Sequence, residues 1–128
     1  MSVLKKANIV IASNLPKRLA VFYSCVFEND FKVGVSPEHF VIEINQVTTI
    51  QIYKPSKKRD FPARGKTVSI CVEKISLIDP ITELRDFVQI LISIGASIIE
   101  NPRLEKFGAE AWLADPEGNE FLVLVTSQ

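Results

Sequence analysis

Ala109-Glu110-Ala111-Trp112-Leu113-Ala114 and Glu120-Phe121-Leu122-Val123-Leu124-Val125 flank the run Asp115-Pro116-Glu117-Gly118-Asn119, and this stretch decides how the chain folds. Turns select these central residues for separate physical reasons. Proline presets φ, glycine takes positive φ at no steric cost, and Asp and Asn side chains bond to nearby backbone. The flanking segments are short and apolar, and the turn bounds both. They read as two antiparallel strands, 109–114 and 120–125. Side chains alternate across a strand. Phe121, Val123 and Val125 therefore share one face, and Glu120, Leu122 and Leu124 share the other. In this register Trp112 lies opposite Leu122.

Upstream, Ala96–Glu100 reads as a short strand. Before it, Asp79 and Pro80 suit the N-cap and first positions of a helix. Ile81, Leu84, Val88, Leu91 and Ile94 recur on one face, and Gly95 suits the C-terminal cap. Phe87, Ile90 and Ile92 widen the stripe until the helix is apolar nearly all round. Such a helix needs cover on more than one side, from sheet and loops or from a second subunit. Thr67–Val72 alternates as a strand does. The order is β-α-β-β-β.

The first half repeats that order. Asn8–Ala12 is β-branched and short, a strand. Asn14 can cap a helix near 15–27, and Pro16 is tolerated in its first turn. Leu15, Leu19, Phe22 and Val26 follow at helical spacing. Three strands come next, Phe31–Val35, His39–Ile44 and Thr48–Tyr53, separated by Ser36-Pro37 and Asn45-Gln46. Pairing Ile42 with Ile50 collects Phe40, Ile42, Ile44, Ile50 and Ile52 on one face. The opposite face then carries Glu43 beside Thr49, Val41 beside Gln51, and His39 beside Tyr53. Between the halves, residues 54–65 hold two prolines, a glycine and five basic residues with no period, and read as a linker.

The chain has 128 residues, 47% of them apolar and 23% charged, within reach of one domain with its own core. Lys+Arg and Asp+Glu are equal at 15, which gives no electrostatic case for nucleic acid or an acidic membrane. The apolar runs are far shorter than the roughly 20 residues of a membrane helix, and the start lacks a signal-peptide pattern. Two cysteines, Cys25 and Cys71, make neither a disulfide framework nor a zinc motif. The expectation is a cytoplasmic protein that partners neither nucleic acid nor membrane.

Two βαβββ halves in this length resemble the vicinal oxygen chelate family, the glyoxalase, bleomycin-resistance and dioxygenase-like proteins. Asp115-Pro116-Glu117-Gly118-Asn119-Glu120-Phe121 is similar to that family's closing hairpin. Asn8–Ile11 running into Leu19-Ala20-Val21-Phe22-Tyr23 looks like its opening strand and helix. Ile94-Gly95-Ala96 with Asn101-Pro102, and Phe107-Gly108, also fit. The resemblance covers about residues 7–126. It implies an α+β fold of two modules, about 7–53 and 66–126, forming a curved, half-open mixed sheet with a helix behind each module. It also implies a single domain, 1–128, and a homodimer.

Enzymes of the family hold a divalent metal on the concave face. The resemblance places their ligand positions at Asn8, Gln51, Thr67 and Leu122. Leucine has no donor atom, Asn, Gln and Thr are neutral, and no carboxylate or imidazole joins them. The expected reading is therefore metal-free and cofactor-free, with a small, partly apolar molecule bound by Asn8, His39, Glu43, Gln51, Tyr53, Thr67, Trp112 and Leu122. A lyase, isomerase or dioxygenase-like enzyme using Glu43 or His39 as base is the alternative. An interaction domain with a filled cavity is another. Each residue also has a plainer reading. His39 and Glu43 suit a solvated surface, Trp112 suits core or dimer packing, and Cys71 suits a small buried apolar position.

Overall fold

The computed structural model describes residues 7–58, 60–62 and 68–127. It divides into two compact units, residues 1–64 and 65–128. In the first, β1 (Ala7–Ala12) leads to α1 (Pro16–Phe27), then β2 (Phe31–Val33), β3 (His39–Glu43) and β4 (Thr48–Tyr53). In the second, β5 (Ile70–Ser76) leads to α2 (Pro80–Ser93), then β6 (Ser97–Glu105), β7 (Gly108–Ala114) and β8 (Glu120–Ser127). Strand order is β1-β4-β3-β2 in one sheet and β5-β8-β7-β6 in the other. Each sheet is mixed, because its first and last strands in sequence pair in parallel while the rest are antiparallel. This is the α+β fold of two βαβββ modules that the repeated order implies.

In the first unit Ile42 pairs with Ile50 and Phe40 with Ile52. These four side chains are buried, as are Leu19, Phe22, Tyr23 and Val26 of α1, which packs on β3 and β4. Ile9 and Ile11 lie in register with Ile50 and Ile52 on the same face. The helix begins differently from its expected cap. Leu15, not Asn14, is the N-cap residue, because Pro16 occupies the first helical position. The Ser13 hydroxyl accepts the Leu15 N–H at 2.9 Å instead. The helix closes on Glu28 in the left-handed conformation (φ 55°).

In the second unit Leu84, Phe87, Val88 and Leu91 of α2 are buried, as are Val72, Ala109, Ala111, Leu113, Phe121, Val123 and Val125 of the sheet. α2 packs on the sheet where β7 presents the small buried side chains of Ala109 and Ala111. Asp79 caps the helix by accepting the Thr82 N–H. At the other end the Ala96 N–H reaches the Leu91 carbonyl at 2.9 Å and the Gly95 N–H reaches Ile92 at 3.1 Å. That pair of bonds with Gly95 at φ 118° is a Schellman ending. Ile90 and Ile92 are exposed, so the sheet covers one side of α2 only.

Two strands depart furthest from the sequence reading, while β2 stops at Val33 rather than Val35 and β8 runs on to Ser127. The strand expected at Thr67–Val72 is Ile70–Ser76. Parallel pairing sets Ile70 opposite Phe121, so Val68 would face the turn before β8 and has no ladder to join. Val68 is 89% exposed. The strand expected to stop at Glu100 continues through Pro102 to Glu105. β6 is an edge strand, where proline's missing N–H is tolerated, and the register shifts on either side of Glu100.

The closing turn is organised by one side chain. Asp115 is buried and its Oδ1 accepts the Glu117 and Asn119 N–H groups at 2.8 and 3.0 Å. Its Oδ2 accepts the Asn119 amide at 2.8 Å. Gly118 (φ 87°) has open space where a Cβ would stand. Gly108 (φ 146°) has none, because a Cβ there would lie 2.1 Å from the Val125 carbonyl oxygen. Gly118→Ala should therefore cost only the left-handed penalty, about 1 kcal/mol. Gly108→Ala should cost at least about 2 kcal/mol, adding a backbone clash to strain. Urea midpoints of the two variants check the order; equal losses would contradict it.

Candidate functional site

The face of the first sheet turned away from α1 carries the polar residues. Parallel pairing of β1 with β4 sets Asn8 beside Thr49, Val10 beside Gln51, and Ala12 beside Tyr53. Antiparallel pairing of β3 with β4 sets Glu43 beside Thr49, Val41 beside Gln51, and His39 beside Tyr53, as the favoured register requires.

Four of these side chains form one connected network. His39 Nε2 lies 2.6 Å from Gln51 Oε1. Gln51 Nε2 makes long 3.4 Å contacts with Asn8 Oδ1 and Thr49 Oγ1. The Thr49 hydroxyl donates to Asn8 Oδ1 through a short bond. Thr49 is buried, whereas Asn8 is exposed. At the far end, His39 Nδ1 accepts the Val35 backbone N–H at 2.9 Å. The ring lies directly on Gly34, where a Cβ would stand 2.0 Å from Nδ1.

The other expected residues of this face are engaged elsewhere. Glu43 pairs with Lys32 at 3.2 Å with both side chains exposed, a surface ion pair worth at most about 1 kcal/mol. The Tyr53 hydroxyl donates to the Asp60 carbonyl at 3.0 Å and ties the segment after β4 to the sheet. Thr49, Gly34 and the Val35 N–H were absent from the expected site. The β3–β4 register already put Thr49 on this face, but its bond to Asn8 becomes visible only once β1 is placed beside β4; Gly34 is a glycine five residues before His39 in a tight turn.

On the second sheet, Trp112 and Leu122 pair across β7 and β8 and both are half-buried. With Leu124 they make the apolar part of that face. Cys71 pairs with Leu122. It is exposed rather than buried, because odd positions of β5 point away from α2. Desolvation by its sheet neighbours, then the charges of Glu73 and Glu110, push its thiol above the ordinary value. Beyond it, Arg103 is ringed by three carboxylates: Glu100 at 2.7 Å, Glu105 at 2.9 Å, and Glu110. Those hydrogen bonds raise its already high pKa further. Thr67 lies outside the described residues.

The metal implied by the resemblance does not fit these donors. Leu122 offers no ligand atom. Asn8 Oδ1 is occupied by two donors, Gln51 Oε1 faces the imidazole, and the His39 Nδ1 lone pair holds a backbone N–H. Among the described residues, no group of three or more His, Cys, Asp or Glu is placed to hold a cation. Nor, among the same residues, is any helix long and apolar enough to cross a membrane. The neutral network can bind and orient a polar group. His39 has no free lone pair in this arrangement to act as a base.

No family model and no curated protein matches the chain. Solved structures do. A glyoxalase/bleomycin resistance protein/dioxygenase family enzyme from Burkholderia phytofirmans PsJN superposes with a TM-score of 0.71 at 18% identity, covering 93% of this chain and 96% of that one. A glyoxalase/bleomycin resistance protein from Albidiferax ferrireducens T118 gives 0.68 at 16%, covering 92% and 95%. A lactoylglutathione lyase from Agrobacterium tumefaciens gives 0.58 at 13%, covering 93% and 91%. These likenesses establish the fold.

The raised Cys71 thiol has a sign that can be checked. Thiolate is the reactive form, so alkylation of Cys71 should accelerate as pH rises through its elevated pKa. Glu73→Gln removes a negative charge that disfavours thiolate, and should speed Cys71 alkylation at pH 7 about twofold at low salt. Peptide mass spectrometry after iodoacetamide treatment reads the rate; a slower variant would contradict the assignment.

Proposed function

We propose that this chain, with the vicinal oxygen chelate fold, binds a small, partly apolar molecule on the open faces of its sheets without a metal. The observation that carries this reading is the connected set Asn8, Thr49, Gln51 and His39. Four polar side chains satisfy one another on a face turned away from the core, and Asn8 at its edge is open to solvent. Binding sites place a few convergent polar groups beside apolar surface. Here that surface is Val10 and Val41 on the same sheet. Val10 is 59% exposed. The solved structures of like fold carry enzyme and resistance names, and the neutral donors of this chain favour binding over metal chemistry.

A panel of small aromatic and carbonyl-bearing compounds tests the reading by thermal shift. A compound at 100 times its Kd should stabilise the protein by about 2.7 kcal/mol. Gln51→Ala should weaken that compound about tenfold, the loss of one to two hydrogen bonds. Calorimetry with zinc, manganese and magnesium should show no stoichiometric site; tight binding of one ion per chain would remove the metal-free part.

We also infer a cytoplasmic homodimer. The support for pairing is the exposed apolar side of α2, with Ile90 58% exposed. Light scattering should give twice the chain mass at micromolar concentration, and Ile90→Glu should lower it. A monomer in the unsubstituted protein would end this reading.

A further inference from the structure

We propose that the polar patch of the first module is a hydrogen-bond donor site, built to take a carbonyl or carboxylate oxygen of the ligand, and that the backbone N–H of Val35 sets this polarity. The inference rests on the binding function above and names the chemistry of the group bound.

The argument follows protons from one end of the network to the other. A neutral imidazole has one donor and one acceptor nitrogen. The Val35 N–H can only donate, so His39 Nδ1 is the acceptor and Nε2 carries the proton. Nε2–H therefore donates to Gln51, which fixes Oε1 toward the ring and the NH2 group toward Asn8 and Thr49. The Thr49 hydroxyl spends its one proton on Asn8 Oδ1. Asn8 Oδ1 thus accepts twice, and its Nδ2 must point the other way. Asn8 is exposed, and no acceptor among the described residues meets that Nδ2. The network begins at a donor and ends at donors. Its outer rim presents the Asn8 NH2, backed by the weakly held second proton of Gln51 Nε2.

Such a rim matches an acceptor oxygen and mismatches an ammonium group or a metal ion, which would meet N–H groups with no lone pair. It carries no formal charge, so carbonyl and carboxylate share the required chemistry. Gly34 is the positioning residue of the arrangement. Only a residue without a Cβ lets the ring lie where Nδ1 reaches Val35.

The decisive substitution is Asn8→Asp. It keeps an oxygen to accept from Thr49, replaces the outward Nδ2 with an oxygen and adds a negative charge that repels benzoate, so the neutral benzamide is the probe that reads the lost donor. Three probes of one size are titrated while side-chain amide signals are followed by NMR: benzoate, benzamide and benzylammonium. Benzoate or benzamide should shift the Asn8 and Gln51 amide signals, the stronger of the two telling carboxylate from carbonyl. Benzylammonium should not. Asn8→Asp should weaken the responding probe about tenfold or more while the backbone spectrum and the His39 tautomer stay as they were. Gly34→Ala should displace the His39 ring and reduce the preference for acceptor probes with Asn8 intact. Preference for benzylammonium, or undiminished acceptor binding in a folded Asn8→Asp protein, would overturn the donor assignment and leave ligand binding standing. If none of the three probes, nor any panel compound, binds either open face, both readings fall.

Discussion

The pairing of Ile42 with Ile50 is the constraint on which the first module depends. A strand has a period of two, so a slip by one residue exchanges its faces. Slipped, Phe40, Ile42, Ile50 and Ile52 would no longer meet Leu19, Phe22 and Tyr23. His39 and Gln51 would lose each other at the same moment. The apolar contacts therefore hold the polar ones in place, although the two sets never touch. Burial of four large side chains contributes several kcal/mol, more than the network's hydrogen bonds contribute net. The core selects the register, and the site inherits it.

The second module uses the same order of strands for a different surface. Where the first has amides and an imidazole, the second has Trp112, Leu122 and an arginine held by three glutamates. A repeated backbone does not repeat chemistry, because outward positions are free of the core's demands. The fold alone thus says little about function, and the side chains on each open face must be argued singly.

Much of this was legible from residue order. Alternating isoleucines gave away the β3–β4 register, and Asp115–Asn119 gave away the last hairpin. Asp79, Pro80 and Gly95 marked both ends of α2. The misreadings have physical causes. Asn14 is a good cap by type, but the fixed φ of Pro16 set the helix start one residue later. Thr67–Val72 alternates well, yet a parallel strand starts where its partner starts, and that partner lies far on in the chain, with Ile70 opposite Phe121. The strand read as ending at Glu100 runs on through Pro102, because an edge strand tolerates proline and cannot be told from a loop by composition. The polarity of the site was beyond reach, since it hangs on a backbone N–H in a turn whose geometry no side-chain pattern reports.

The parallel pairing of β1 with β4 carries a consequence for time rather than for shape. Hairpins such as β3–β4 join neighbours in sequence and close quickly, whereas Asn8 and Thr49 stand 41 residues apart. Loop entropy is spent before that contact returns anything, so the β1 edge is the late step in assembling the module. Asn8 sits on that edge and its partners sit on β4. A chain with its helix and hairpins formed still has no complete polar patch. The patch proposed to recognise a ligand is thus complete only once β1 has paired with β4.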